Sequence, residues 1–366
     1  MVNNMKMVLF GLGVQFQDCY TQLVLALGRE PDLLCDNAPE KWGRQFFGKT
    51  CIRPEDLEAL GHDTTVIITI RKYEGVYRQL THMGMKNIFI ACFDQGYDVV
   101  HGIRKLESGW DIPPETSYES PVKGKWTLVT GASRGIGRQI AMAMAGLGSH
   151  IIAHSREPAH TKEIVDACRT LGVQAESISA ELINQTDLEE MLEELDRCFP
   201  PIDIVFNNAG ISLASGTDIL SISSDDYQKH YMVNTIAPIR ICYRLIPLMM
   251  RRGYGRLINV SSTIQKTPSG MAYACSKAAL TKFVYDMAPG LEGTGVMMSL
   301  ICPGHVRSDM GGSDAPHSVE SVIPGALLGA VMEGDVNGRF FIAQDYAGLS
   351  LPAAVKRAKF YYSLGD

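Results

Sequence analysis

The chain has 366 residues, of which 46% are hydrophobic and 20% charged, with a formal net charge of -6. That length suits two domains and the composition is that of an ordinary globular protein. The acidic balance and the lack of clustered Lys and Arg exclude a broad nucleic-acid surface, and no apolar stretch approaches the ~20 residues of a membrane span. The start runs directly into a strand pattern and does not resemble a signal peptide. The 9 cysteines form no Cys-x-x-Cys pair. Cys35, Cys92 and Cys302 sit in apolar, strand-like contexts, so reduced thiols and a cytoplasmic location are expected. The histidines read as scattered surface and core residues, and no metal site is expected.

The first hundred residues alternate strand and helix patterns. Lys6 to Phe10 reads as a strand leading into Gly11-Leu12-Gly13, and a helix follows over about 15–27. Strands are expected at 32–35, 65–70 and 87–91, with a helix over 73–83. Such alternation predicts a parallel sheet covered on both faces. Between Glu107 and Lys125 the periodicity stops, in Ser108-Gly109-Trp110-Asp111-Ile112-Pro113-Pro114 and Ser120-Pro121. Residues 1–106 are therefore read as one α/β domain, 107–122 as a linker in which Trp110 packs on a neighbour, and 123–366 as a larger second domain.

A longer alternation begins at Trp126. Strands are expected at 126–130, 150–154, 202–206, 257–260 and 299–302, and helices at 139–147, 162–171 and 187–198. Strands at this spacing make a doubly wound sheet whose ligand crevice lies at the carboxyl ends of the strands. Thr130-Gly131-Ala132-Ser133-Arg134-Gly135-Ile136-Gly137 stands between a strand and a helix. Glycine there lets backbone approach a pyrophosphate, and the helix N-terminus offers aligned N–H groups. The next strand ends in Ser155 and Arg156 instead of the carboxylate that would bind a ribose 2′-OH. Together with Arg134, these groups suit a 2′-phosphate, so NADP(H) is expected over NAD(H).

Phe206-Asn207-Asn208-Ala209-Gly210 ends a further strand and could line the ribose or simply hold a turn. Asn234 falls in a helix interior, where Asn is disfavoured, and Pro238 suggests a kink whose freed backbone groups could hold a water. Asn259-Val260-Ser261-Ser262 ends a strand in hydroxyls. Tyr273-Ala274-Cys275-Ser276-Lys277 then sets a phenol and an ammonium one helical turn apart. The ammonium is expected to lower the phenol pKa, so that Tyr273 exchanges a proton at a carbon–oxygen bond while Ser262 holds the oxygen.

The segments TGASRGIG, NNAG, Asn234, NVSS, YACSK and CPGHVRSDM resemble, in order and at about its spacings, the short-chain dehydrogenase/reductase family, from about Lys123 to the C-terminus. The resemblance implies a tetrad of Asn234, Ser262, Tyr273 and Lys277, with Asn234 holding a proton-relay water and Lys277 also holding the nicotinamide ribose. It further implies cofactor contacts at Gly131, Ser133, Arg134, Gly135, Ile136, Gly137, Ser155, Arg156, Asn208, Ala209, Gly210, Tyr273, Lys277, Pro303, Gly304, Val306 and Ser308. The Ser262-to-Tyr273 interval is slightly shorter than usual, which leaves Ser261 open as the active hydroxyl. Ser308 stands where the family often has Thr. The loop from Asp309 to Pro324 reads as a candidate lid.

In the first domain, Phe16 stands where the dinucleotide fingerprint has its third glycine, and Asp36 could meet a ribose. Nucleotide binding there and a purely structural role both remain open. Cys35 to Gly43 and Phe47-Gly48-Lys49 resemble small nucleotide-binding-like domains beside sugar-modifying and polysaccharide-pathway enzymes. The fold class expected is α/β, two Rossmann-like doubly wound parallel-sheet domains. The function expected is NADP(H)-dependent reduction of a ketone or aldehyde, or oxidation of the alcohol, on a sugar or nucleotide-linked sugar. The alternatives are a 3-oxoacyl or general carbonyl reductase with a scaffold first domain, and a non-catalytic NADP-sensing or assembly protein. The partners expected are a small-molecule substrate and further copies of the chain, a dimer or tetramer joined through helices near 238–250 and 274–289, with neither nucleic acid nor membrane.

Overall fold

The computed structural model describes residues 6–93, 100–106, 120–212, 222–263 and 270–362. The chain divides into two compact units, Met1–Pro113 and Pro114–Asp366. Trp110 and the expected linker as far as residue 119 lie outside the described residues.

In the first unit β1 (Met7–Phe10) is followed by α1 (Val14–Leu27), β2 (Leu33–Cys35), β3 (Gln45–Phe46), β4 (Lys49–Ile52), α2 (Asp56–Leu60), β5 (Thr65–Ile68), α3 (Glu74–His82), β6 (Asn87–Phe93) and β7 (Val100–Lys105). The sheet order is β3-β4-β2-β1-β5-β6-β7. The five strands from β4 to β6 run parallel, as the alternation predicts. Both edge strands are antiparallel, which the sequence reading did not anticipate. The hairpin β3–β4 turns through Phe47, a non-glycine residue at φ 51°, and Gly48.

The second unit runs β8 (Trp126–Val129), α4 (Gly135–Gly146), β9 (His150–Ser155), α5 (Lys162–Thr170), β10 (Ala175–Ser179), α6 (Gln185–Cys198), β11 (Ile204–Asn207), α7 (Ser224–Tyr231), a π-helical turn (Met232–Ile236), α8 (Ala237–Arg252), β12 (Gly255–Val260), α9 (Met271–Leu291), β13 (Val296–Cys302), α10 (Leu328–Val331), β14 (Phe340–Ile342) and α11 (Leu351–Tyr362). Its seven strands are all parallel in the order β10-β9-β8-β11-β12-β13-β14. The order reverses between β8 and β11, and a doubly wound sheet opens its ligand crevice there. The central strands are buried on both faces, as the run Trp126–Val129 illustrates, so their sequences are continuous apolar runs without alternation. The short edge strand β10 buries Ala175 and Ile178 and exposes the adjacent Glu176 and Ser177, so it lacks the period-two alternation that marks a strand in a sequence.

The helix expected at 139–147 starts earlier, at Gly135, because the glycine turn itself opens it. The kink expected near Pro238 is the π-helical turn just before it, where the helix changes its hydrogen-bonding pattern as it runs on into α8. No helix among the described residues is long and apolar enough to cross a membrane.

Candidate active site

The turn after β8 and the turn after β11 are tied together across the switch point. The Thr130 hydroxyl accepts hydrogen bonds from the backbone N–H groups of Asn208 (2.9 Å) and Ala209 (3.0 Å). The Asn208 side-chain amide donates to the carbonyls of Thr130 (2.8 Å) and Gly131 (3.3 Å). Gly131 takes φ 67°, which disfavours any side chain. A Cβ on Gly137 would lie 2.2 Å from the Gly131 carbonyl oxygen and 2.5 Å from Asn208 Nδ2, so α4 packs against the turn only because that side chain is absent. This is the close packing that a pyrophosphate cradle requires, and these residues fit a dinucleotide. Asn208 thus holds the cradle with its side chain.

The cleft so framed holds about 1190 Å³. All of the cofactor residues expected from the sequence line it except Gly137, which is buried beneath the turn. Ser262, Tyr273 and Lys277 line it as well, whereas Asn234 lies behind it, fully buried.

The four tetrad positions come together as follows. The Ser262 side chain hydrogen-bonds Tyr273. Lys277, 3% exposed, donates to the Val260 carbonyl at 2.8 Å, and its Nζ lies 6.0 Å from the Tyr273 ring centroid. Asn234 Oδ1 accepts from the Ile211 N–H (2.8 Å), and Nδ2 donates to the Ile211 carbonyl (2.9 Å) and to Ser276 Oγ (3.0 Å). That amide therefore splices the π-helical turn to the loop after β11 and to α9. The Asn234 side chain, foreseen as part of a water site, is bonded to Ile211 and Ser276, and it sits in a π-helical turn of the kind expected to free backbone groups. Ser261 points inward, its hydroxyl 2.6 Å from Thr281 Oγ1.

The expectation that Lys277 holds the Tyr273 phenol below its usual value is not met in this structure. Burial pushes Tyr273 up to about 12, reinforced by the Cys302 thiol and opposed by the Ser262 hydrogen bond. Burial likewise pushes Lys277 down to about 8. Burial is the leading cause of both shifts, and neither group figures among the causes of the other's. Tyr273 stands as a protonated phenol beside an ammonium whose charge is weakened above about pH 8.

At the adenosine end, the three groups expected at a 2′-phosphate already have partners. Ser155 Oγ donates to the Glu157 carbonyl (2.6 Å). Arg156 Nη1 is 4.0 Å from Glu181 Oε2, and Arg134 Nε is 2.8 Å from Asp309 Oδ2. The sequence reading gave neither carboxylate this part: Glu181 lies outside its motifs, and Asp309, inside CPGHVRSDM, is read only as the start of a lid. It also missed His154, whose Nδ1 accepts from the Gly131 N–H (3.3 Å) and whose Nε2 meets the Ala180 carbonyl (3.2 Å). Burial depresses His154 to about 4, so the imidazole is neutral and braces the glycine turn.

The first unit's glycine turn is closed from within. Asp36 Oδ2 accepts from the Leu12 N–H (2.5 Å) and from Lys41 Nζ (2.9 Å), and Lys41 also donates to the Leu12 carbonyl (2.9 Å). The carboxylate considered for a ribose is thus committed to its own loop. Phe16 is fully buried edge-on to Tyr20 (5.5 Å) and Phe47 (5.9 Å).

A family model described as short chain dehydrogenase matches residues 125–318, and the chain belongs to that family of oxidoreductases. A short chain dehydrogenase of Pseudocercospora fijiensis (strain CIRAD86) is 32% identical over 205 residues, which cover 56% of this chain and 66% of that protein, slightly under two thirds. Ketoacyl reductase HetN of Nostoc sp. (strain PCC 7120) is 32% identical over 230 residues, 58% of this chain and 79% of that one. Among solved structures, a protein assigned as an NAD(P)-dependent gluconate 5-dehydrogenase from Beutenbergia cavernae, with NADP at low occupancy, is similar at 25% identity and a TM-score of 0.56, covering 62% of this chain and 97% of that one.

Proposed function

We propose that the chain is an NADP(H)-dependent oxidoreductase that reduces a ketone or aldehyde, or oxidises the corresponding alcohol, in its second unit. The observation that carries this reading is the Ser262–Tyr273 hydrogen bond, set beside buried Lys277 in the cleft that also contains the glycine cradle. Arg134 and Arg156 at the adenosine end favour the 2′-phosphorylated cofactor. When bound, that dinucleotide supplies or accepts the hydride.

The chain's own residues do the rest. Gly131 to Gly137 hold the pyrophosphate, and Pro303, Gly304, Val306 and Ser308 close the nicotinamide end. Ser262 donates to the substrate oxygen and Tyr273 gives it a proton as the carbon is reduced. Lys277 holds the nicotinamide ribose and supplies positive charge beside the phenol. Carbonyls of the π turn at Met232–Ile236 hold the water that refills the proton on Tyr273.

The substrate we favour is a sugar or nucleotide-linked sugar, supported by the first unit's resemblance and by the gluconate 5-dehydrogenase likeness. A second reading, a 3-oxoacyl or general carbonyl reductase, is supported by the similarity to HetN. The enzyme works in the cytoplasm, where its cysteines, all free among the described residues, stay reduced. It assembles through α8 and α9, with Tyr243 and Met250 exposed on α8. Oxidation of NADPH followed at 340 nm with keto-sugars, nucleotide keto-sugars and 3-oxoacyl thioesters tests the reading. Turnover with one class assigns the substrate. No NADPH oxidation with any carbonyl, despite tight cofactor binding, would favour the sensing alternative.

A further inference from the structure

Arg134 belongs to the cradle of the adenosine end, while Asp309 follows directly on Ser308, which closes the nicotinamide end. The two are joined at 2.8 Å, with side chains 68% and 72% exposed, so water and solutes reach the pair. The segment that carries Asp309 is tightly folded. Ser308 Oγ accepts from the Gly311 N–H (3.1 Å), the Ser308 carbonyl accepts from the Gly312 N–H (2.8 Å), and His305 Nε2 meets the Gly311 carbonyl (2.8 Å). A Cβ on Gly311 would lie 2.0 Å from the Val306 carbonyl oxygen, so the loop admits no side chain there. The start of the segment read from the sequence as a lid, Asp309 to Gly312, is folded back on Ser308 and presents the Asp309 carboxylate to the cradle.

We propose that Asp309 is an intramolecular competitor for Arg134 and sets how strongly the enzyme selects a 2′-phosphorylated cofactor. A carboxylate and a phosphate offer the same oxygen acceptors to one guanidinium fork. Arg134 exchanges Asp309 for the phosphate when the cofactor binds, and the exchange frees the 305–312 loop from the cradle. A nucleotide without that phosphate leaves the pair intact and the loop tethered. The loop beside the reacting carbon thereby senses which dinucleotide has entered. This inference rests on the NADP(H) reading of the site.

The test is a double-substitution cycle on the full chain, with NADPH and NADH affinities measured by calorimetry for wild type, Asp309→Asn, Arg134→Ala and the double variant. An exposed ion pair contributes little, so Asp309→Asn tightens NADPH by only about two- to fivefold, leaves NADH unchanged, and has no effect once Arg134 is Ala. A tightening that persists in the Arg134→Ala background would reduce Asp309 to a general repulsive charge and overturn the proposal, as would equal shifts for both nucleotides. The tether is also read without nucleotide. Amide exchange over 305–312 speeds equally in the two single variants, and unchanged exchange overturns the tether. If wild type itself prefers NADH, the NADP(H) reading fails while the exchange result still decides the tether.

Discussion

Ser261 spends its hydroxyl on Thr281, at 2.6 Å and 1% exposure, while its neighbour Ser262 faces the cleft and reaches Tyr273. Both residues line the cleft, and their different hydroxyl partners favour Ser262 over Ser261 as the active hydroxyl. Ser262→Ala is expected to lower kcat on the order of a hundredfold or more, with cofactor affinity unchanged. Ser261→Ala is expected to cost about 1 kcal/mol of stability and leave kcat nearly intact. Steady-state kinetics and thermal melts on both variants check the assignment, and the reverse pattern would exchange the roles.

The pH dependence follows from two opposed shifts. Tyr273, raised to about 12, stays protonated and ready to donate across the neutral range. Lys277, lowered to about 8 from 10.5, carries its charge below pH 8 and loses it above. The reductive rate is expected to fall as pH rises through about 8, and the oxidative rate to climb towards alkaline pH. Stability moves the other way over that window. Between 8 and 10.5 the unfolded chain binds more protons at Lys277 than the folded chain, so this residue's contribution to stability improves as pH rises. Lys277→Met removes that stability slope along with activity, and denaturant melts from pH 7 to 10 measure it.

Asn234 makes three hydrogen bonds from a fully buried amide. Asn234→Leu leaves the Ile211 N–H and carbonyl and the Ser276 hydroxyl without that partner, at about 1–3 kcal/mol for each group left bare. A large drop in Tm is expected, with a raised KM because Ile211 lines the cleft. Asn234→Asp keeps the bond from the Ile211 N–H and loses both donations, so it falls between. Equal Tm for wild type and Asn234→Leu would contradict this bracing role.

The sequence carried most of the second unit because its signals are local. A glycine that must be bare, a Tyr and Lys on one helical turn, and buried parallel strands written as apolar runs can each be read without knowing what lies opposite. The missed features are partnerships between distant segments. Glu181 beside Arg156, Asp309 beside Arg134 and His154 beneath Gly131 are set by where the strand ends and loops converge. The Tyr273 shift failed for a related reason, since burial is a property of the whole site. Of the antiparallel edge strands of the first unit, β3 has only two residues, and β7 carries His101, Gly102, Arg104 and Lys105 among its six, so neither reads as an apolar run.

In the first unit, Phe16 is fully buried at the position of the third fingerprint glycine, and Asp36 is bonded within its own loop. Phe16→Ala is expected to cost about 3–5 kcal/mol through the cavity left beside Tyr20 and Phe47. Phe16→Gly restores the third glycine of the fingerprint, yet Asp36 still holds the Leu12 N–H. Calorimetry is expected to find one NADPH per chain in wild type and in Phe16→Gly alike. A second site in wild type would overturn the closed-turn reading, and one appearing only in Phe16→Gly would assign the closure to the phenyl ring alone.

The most direct measurement compares wild type with Tyr273→Phe, taking NADPH affinity by calorimetry and carbonyl-dependent NADPH oxidation on the same samples. The substitution removes one oxygen from the cleft and leaves the cradle, Lys277 and Ser262 in place. The account predicts unchanged NADPH affinity and turnover reduced on the order of 10²- to 10⁴-fold. Turnover equal to wild type would contradict it, because the proton would then reach the substrate from some other group.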